Sequence, residues 1–165
     1  MARVPVRFSL NGREEALFVE GGENLLESLR RRAGDLTPKY GCGQGTCGTC
    51  TVLVDGEPQL ACLTLAETME GREIETVNGL SDGAELHPLQ TAFMEGFAAQ
   101  CGYCTGGMML AAKALLARNP DPSRAEVAEA ISGNICRCTG YEPIIDAILD
   151  AARHMRGGAM GRMAR

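Results

Sequence analysis

Four cysteines in the first half of the sequence have the spacing of metal ligands. Cys42, Cys47 and Cys50 form a C-x4-C-x2-C run, and Cys62 follows after eleven intervening residues. This is a ligand pattern of [2Fe–2S] clusters, because four thiolates must converge on two irons from one tight loop and one neighbouring segment. The run is rich in glycine, which lets the backbone wrap closely enough for its N–H groups to donate hydrogen bonds to sulfur.

Disulfide bonds and a zinc site are the alternatives for these four cysteines. Disulfides need an oxidising compartment. Zinc sites usually pair one C-x2-C knuckle with another, which differs from a single long run with one distant cysteine. The spacing therefore favours iron and sulfide over zinc.

The second half of the sequence contains the other four of the eight cysteines. They form a C-x2-C pair and a C-x-C pair, namely Cys101, Cys104, Cys136 and Cys138. Each pair lies at a junction between predicted helices, and an antiparallel arrangement would bring both junctions to one end of a bundle. A second [2Fe–2S] cluster could bind there, although zinc is a fair rival for this spacing taken alone. The division of all eight cysteines into two groups of four favours two metal sites of one kind.

Composition limits the possible partners. The net charge of −5 argues against nucleic acid, which calls for a basic surface. No stretch of eighteen apolar residues is present, so we expect no membrane span. The first residues lack the apolar core of a secretory signal, which predicts a cytoplasmic protein whose thiols stay reduced.

Residues 1–78 are predicted to form a mixed α+β domain. The pattern indicates strands at 4–10, 15–19, 51–54, 59–62 and 73–77. Asn11-Gly12 favours a tight hairpin turn. Asn24 is expected to cap a short helix that buries three leucines and ends near Gly34. The cysteine loop lies between this helix and the third strand.

Residues 79–156 are predicted to form a compact bundle of four short helices. The first begins at Pro88 and places Leu89, Phe93 and Phe97 on one face. Thr105 is expected to cap the second helix, which ends near residue 118 before two prolines. A capping box beginning at Ser123 starts the third, which ends at 133, and the fourth begins at 143. Residues 157–165 contain two adjacent glycines and are expected to form a flexible tail.

Three motifs in this order resemble the small iron–sulfur subunit of molybdenum hydroxylases, the xanthine dehydrogenase, aldehyde oxidoreductase and carbon monoxide dehydrogenase family. The motifs are YGCGQGTCGTC at 40–50, QCGYC at 100–104 and NICRCTGY at 134–141. The resemblance extends over about residues 3–156. It implies a plant-ferredoxin-like β-grasp domain followed by a four-helix [2Fe–2S]-binding domain.

The resemblance also implies a function. A large subunit with molybdenum on a pterin cofactor converts the substrate, so this chain has no catalytic residue. Electrons pass to the cluster of the helical domain, then to the ferredoxin-type cluster, and then to FAD on a medium subunit. Gln100 and Cys138 are expected to face the pterin, and Gly43, Gln44 and Gly45 to face the flavin. The assembly would be a heterotrimer or a dimer of heterotrimers.

A free-standing two-cluster ferredoxin or redox sensor is the alternative function. Plain plant-type ferredoxins need only the first set of cysteines, so the helical half counts against it. One position departs from the family pattern, since Gly106 occupies a place where proline is usual. Glycine loosens the start of the adjoining helix and should cost up to about 1 kcal/mol there.

Overall fold

The first half of the molecule is a five-stranded sheet with one helix packed on it. The computed structural model describes residues 3–81 and 83–163, with side chains as far as residue 157. The elements of this half are β1 (Arg3–Leu10), β2 (Arg13–Glu20), α1 (Leu25–Arg31), β3 (Thr51–Val54), β4 (Glu57–Leu60) and β5 (Glu73–Glu75). The strand order is β2-β1-β5-β3-β4, with β1 and β5 parallel and the other neighbours antiparallel.

Local sequence signals account for the turns and the helix start. Asn11 and Gly12 have φ values of 53° and 78°, so the β1–β2 hairpin closes through the left-handed two-residue turn that the sequence predicts. Asp55-Gly56 closes the β3–β4 hairpin in the same way, and β4 therefore begins two residues earlier than expected. The side chain of Asn24 accepts a hydrogen bond from the Glu27 N–H at 2.9 Å and caps α1 as predicted.

The second half is helical. It consists of α2 (Pro88–Glu95), α3 (Thr105–Arg118), α4 (Arg124–Ala130) and α5 (Glu142–Met163). Ser123 and Glu126 form the predicted capping box at the start of α4. Cys104, rather than Thr105, is the N-cap of α3. The expected fold class, a ferredoxin-like β-grasp sheet followed by helices, is confirmed. Within the described ranges, no helix has the length and apolar character needed to cross a lipid bilayer.

Strand β3 joins two hydrophobic cores. Its side chains alternate between the two faces of the sheet, as in any strand, and all four are buried. Val52 and Val54 belong to the core between the sheet and α1. Leu53 points the other way and belongs to the core of the helical half, where α3 packs against β3. The two halves of the chain are therefore in direct contact through this strand.

The end of α2 differs from the prediction. Phe97 was expected on the same helix face as Leu89 and Phe93, but α2 ends at Glu95 and the side chain of Phe97 is 85% exposed. The N–H groups of Phe97 and Ala98 donate to the carbonyls of Met94 and Phe93, which is a Schellman motif. Phe97 occupies the left-handed position of this motif, with φ of 50°, where glycine is usual. Phe97 therefore lies outside the helix, and the helical spacing does not apply to it.

Helix α5 also differs, because it continues to Met163 instead of ending near residue 156. A glycine inside a helix costs only about 1 kcal/mol relative to alanine, so adjacent glycines need not end one. Residues 164 and 165 of the predicted tail lie outside the described residues. Helix α4 ends at Ala130, three residues before the expected position.

Candidate metal centres

The first set of cysteines lies in the loop between α1 and β3 and in the turn after β4. The N–H groups of Gln44 and Thr46 donate to the sulfur of Cys42 at 3.4 and 3.2 Å, as expected for a loop that wraps around sulfur. The hydroxyl of Thr49 lies 3.2 Å from the sulfur of Cys47. A Cβ atom on Gly41 would come within 2.7 Å of the same sulfur, so only glycine fits at that position.

The four thiols of this set are close enough to affect one another. Cys47 affects the pKa of Cys42, and both Cys62 and Cys47 affect the pKa of Cys50. Hydrogen bonds from Thr46 and from the Gln44 N–H hold the pKa of the Cys42 thiol at about 6. Burial raises the pKa of Cys50 to about 11. Binding of a cation would displace the proton from such a thiol, because thiolates are the form that binds metal.

The second set lies where the α2–α3 and α4–α5 loops meet, so the structure brings both predicted junctions together. The sulfur atoms of Cys101 and Cys138 are 3.7 Å apart and exposed. Cys104 is half-buried and Cys136 is buried, so these two thiols lie further inside than Cys101 and Cys138. Burial raises the pKa of Cys104 to about 12. Burial also acts to raise the pKa of Cys136, but hydrogen bonds with Thr139, Cys138 and Cys104 together outweigh it and lower that pKa.

The arrangement of donors fits a diiron cluster better than a single ion. A [2Fe–2S] cluster takes two protein ligands on each of two irons, whereas zinc requires four ligands around one point. Each set of cysteines supplies four thiols, and in the second set the sulfur atoms of Cys101 and Cys138 are 3.7 Å apart. All eight cysteines are free thiols in the structure, as binding of metal by thiolates requires.

The two sets are joined by direct hydrogen bonds. The N–H of Ile135 donates to the carbonyl of Cys47 at 2.9 Å, and Ile135 precedes Cys136 in the chain. The buried side chain of Asn134 donates to the carbonyl of Gly48 at 2.9 Å and to the hydroxyl of Thr51 at 3.1 Å. One hydrogen bond and a short stretch of backbone therefore connect a cysteine of each set.

Glycine permits this close contact on both sides. A Cβ atom on Gly48 would lie 2.7 Å from Nδ2 of Asn134 and would overlap the carbonyl of Gly133. A Cβ atom on Gly107 of α3 would lie 2.9 Å from the same Nδ2 and would overlap the carbonyl of Gly48. By contrast, a Cβ atom on Gly106 would meet Val77 at 3.3 Å, which a small shift relieves. The start of α3 is thus intact despite the departure at Gly106.

The residues expected to face the pterin and the flavin are accessible. Gln100 is exposed, and its side chain donates to the carbonyl of Cys138 at 3.1 Å. Gly43 and Gln44 are exposed, and Gly45 is half-buried. Accessibility is necessary for contact with a cofactor of another subunit.

Several residues that shape the two sites have no role in the sequence analysis. They are Tyr40, Tyr103, Asn134, Thr139 and Tyr141. All of them lie within the three cysteine motifs, and this position is the feature of the sequence that points to them. Their side chains contact residues of other loops, however, and the sequence does not indicate which loop each side chain contacts.

Comparison with known proteins agrees with this geometry. A family model described as a 2Fe-2S iron-sulfur cluster binding domain matches residues 8–81, and one described as a [2Fe-2S] binding domain matches residues 76–149. The nicotine 6-hydroxylase small subunit of Paenarthrobacter nicotinovorans is 49% identical over 149 residues, which are 90% of each chain.

Two solved structures are also similar. A chain of quinoline 2-oxidoreductase from Pseudomonas putida 86 superposes with a TM-score of 0.92 and 49% identity, over 96% of this chain and 99% of that one. The aldehyde oxidoreductase of Desulfovibrio desulfuricans superposes with a TM-score of 0.90 and 41% identity. That match covers 95% of this chain but only 17% of the larger polypeptide.

Proposed function

This chain belongs to the family of two-cluster iron–sulfur small subunits of molybdenum hydroxylases, and from that premise we propose which residues bind its two [2Fe–2S] clusters. The ferredoxin-type cluster is bound by Cys42, Cys47, Cys50 and Cys62. The cluster of the helical half is bound by Cys101, Cys104, Cys136 and Cys138. The observation that carries the assignment is the grouping of eight free thiols into two sets of four, the first beside β3 and β4 and the second where the α2–α3 and α4–α5 loops meet.

The chain is an electron-transfer subunit and does not itself convert substrate. When bound, each cluster supplies a site that takes up and releases one electron at a time. The chain's own residues keep the two sites close, through the bond from the Ile135 N–H to the Cys47 carbonyl. They also hold N–H and hydroxyl donors against the sulfur atoms, which stabilises the negative charge of a reduced cluster.

The relay is proposed to have an entry and an exit surface. Gln100 and Cys138 form the entry, facing the molybdenum–pterin cofactor of a large subunit. Gly43, Gln44 and Gly45 form the exit, facing FAD on a medium subunit. Support comes from the exposure of most of these residues and from the bond that fixes Gln100 to the Cys138 carbonyl. The free thiols suit a reducing, cytoplasmic setting.

The partners are proposed to be those two subunits, in a heterotrimer or a dimer of heterotrimers. In the Desulfovibrio desulfuricans enzyme, the region similar to this chain is 17% of one polypeptide, so there it is covalently joined to further protein. An exposed apolar surface near Gln100 supports contact with a partner here. It is formed by Phe97, which is 85% exposed, and Met94, which is 66% exposed.

Replacement of Phe97 by glycine tests the partner surface. Glycine adopts the observed φ of 50° without strain, so we expect the variant to unfold at the same temperature as the parent or slightly above it. Loss of the exposed ring should nevertheless weaken binding to the large subunit by about tenfold or more, as for a buried aromatic anchor. The measurement is the Kd between separately purified subunits.

Phe18 provides a matched control for that experiment. It is also a largely exposed phenylalanine, at 62%, but it lies in β2, away from the cysteine loops. Phe18→Ser should leave the Kd unchanged. Equal Kd values for Phe97→Gly and the parent would remove Phe97 from the proposed interface.

Metal analysis tests the proposed function as a whole. The protein purified under reducing conditions should contain about four irons and about four acid-labile sulfides per chain, with a brown colour that bleaches on reduction. A colourless protein with bound zinc would contradict the assignment. Isolation of an iron-loaded chain that never associates with larger subunits would favour the free-standing ferredoxin or redox sensor instead.

A further inference from the structure

The side chain of Tyr103 connects the loops of the two cysteine sets. Tyr103 lies between Cys101 and Cys104, and its hydroxyl donates a hydrogen bond of 2.6 Å to the backbone carbonyl of Tyr40. Tyr40 lies two residues before Cys42, so the bond joins positions next to a cysteine of each set. Tyr103 is 46% exposed, so this hydrogen bond lies at the protein surface, outside both hydrophobic cores.

Tyr40 carries this contact further into the first loop. Its ring lies against Gly43, where a Cβ atom would come within 2.5 Å of the Tyr40 hydroxyl oxygen. Gly43 is directly followed by Gln44, whose N–H donates to the sulfur of Cys42, as does the N–H of Thr46. A continuous series of contacts therefore runs from the helical half to the hydrogen bonds around Cys42.

We propose that Tyr103 is a positioning residue for the ferredoxin-type site. Its hydroxyl holds the Tyr40 carbonyl, the Tyr40 ring holds the backbone at Gly43, and this backbone aims two N–H donors at the Cys42 sulfur. The proposal rests on the proposed function in one respect, since it takes Cys42 to be a cluster ligand. It adds that a residue of the helical half tunes the site in the other half.

The expected consequence concerns the reduction potential. Hydrogen bonds to the sulfur atoms stabilise the more negative, reduced form of a cluster and raise its potential. If the loop relaxes when Tyr103 loses its hydroxyl, the two N–H bonds to Cys42 lengthen. The potential of the ferredoxin-type cluster should then fall, while the cysteine ligands of both sites remain.

Tyr103→Phe in the assembled, iron-loaded protein is the direct test, because it removes one oxygen atom and keeps the ring. An electron paramagnetic resonance titration separates the two clusters by their signals. We expect the reduced form of the ferredoxin-type cluster to be disfavoured about threefold, as for the loss of a modest hydrogen bond. At 59 mV per tenfold change, this is a fall of about 30 mV. Hydrogen exchange at the amides of 43–46 should also become faster.

Tyr141→Phe is the matched control, because it removes a tyrosine hydroxyl at the other site. The Tyr141 hydroxyl accepts a hydrogen bond of 2.9 Å from the Cys136 N–H. This variant should change the potential of the helical cluster and leave that of the ferredoxin-type cluster as in the parent. Tyr40→Leu removes the next contact in the proposed series, the one between the Tyr40 ring and Gly43. Like Tyr103→Phe, it should lower the reduction potential of the ferredoxin-type cluster.

The outcomes separate this proposal from the proposed function. An iron-free parent protein would contradict the function. An iron-loaded Tyr103→Phe protein with the parent's potential at the ferredoxin-type cluster would overturn the positioning role alone. Equal changes at both clusters would overturn it too, because they indicate a general loosening of the fold. If Tyr103→Phe fails to take up iron, an unchanged potential in Tyr40→Leu decides against the proposal.

Discussion

Replacing Cys104 with serine is expected to remove the cluster of the helical half and to leave the ferredoxin-type cluster in place. Cys104 is half-buried at the start of α3, where burial raises the pKa of its thiol to about 12, so the site depends on metal to hold a thiolate there. Iron content should fall from about four to about two per chain. Electron paramagnetic resonance of the reduced protein should lose one of its two signals.

Cys47→Ser is the reciprocal variant. Cys47 is also half-buried, but it belongs to the first set. The signal of the ferredoxin-type cluster should therefore disappear, and the signal of the helical-half cluster should persist. Circular dichroism is needed beside the iron measurement, because metal binding and folding are coupled in small domains. Loss of both signals from either variant, with the helical content of the parent, would show that the two sets do not act as separate sites.

Gly107→Ala is expected to destabilise the protein strongly, although alanine normally stabilises a helix relative to glycine by up to about 1 kcal/mol. The new methyl group would overlap the carbonyl of Gly48 and press on the amide of Asn134. It would thereby break the buried hydrogen bond that joins the two halves. Steric strain and an unsatisfied buried amide together predict a loss of about 2–4 kcal/mol, or a fall in Tm of about 4–16 °C.

Two other helix glycines are the controls. Gly106 is adjacent in α3, and its new methyl group would come no closer than 3.3 Å to Val77 and 3.9 Å to the carbonyl of Thr37, so a shift of a few tenths of an ångström accommodates it. Gly157 in α5 has open space around the equivalent position. Alanine at either site should leave Tm within about 3 °C of the parent or raise it slightly. If Gly107→Ala behaves like these two variants, the junction is looser than its geometry indicates.

Much of the fold followed from short-range patterns. The alternation from residue 4 to 10 specifies a strand because successive side chains point to opposite faces, and Asn11-Gly12 specifies the turn because both residues tolerate positive φ. Ser123 and Glu126 mark a helix start because they satisfy the free N–H groups there. The cysteine spacing likewise indicates two groups of four thiols. Each of these signals lies within a few residues of the feature that it determines.

Only the tertiary structure decided how these pieces meet. The packing of α3 on β3 brings the 134–141 loop against Gly48, which is 86 residues from its partner Asn134. The same packing lets Tyr103 reach Tyr40, and the end of α2 leaves Phe97 in solvent although its spacing matched the buried face. Such contacts depend on shape and hydrogen bonding between segments distant in the chain. Residue type and spacing therefore specified the chemistry of the two sites, whereas long-range packing determined their connection.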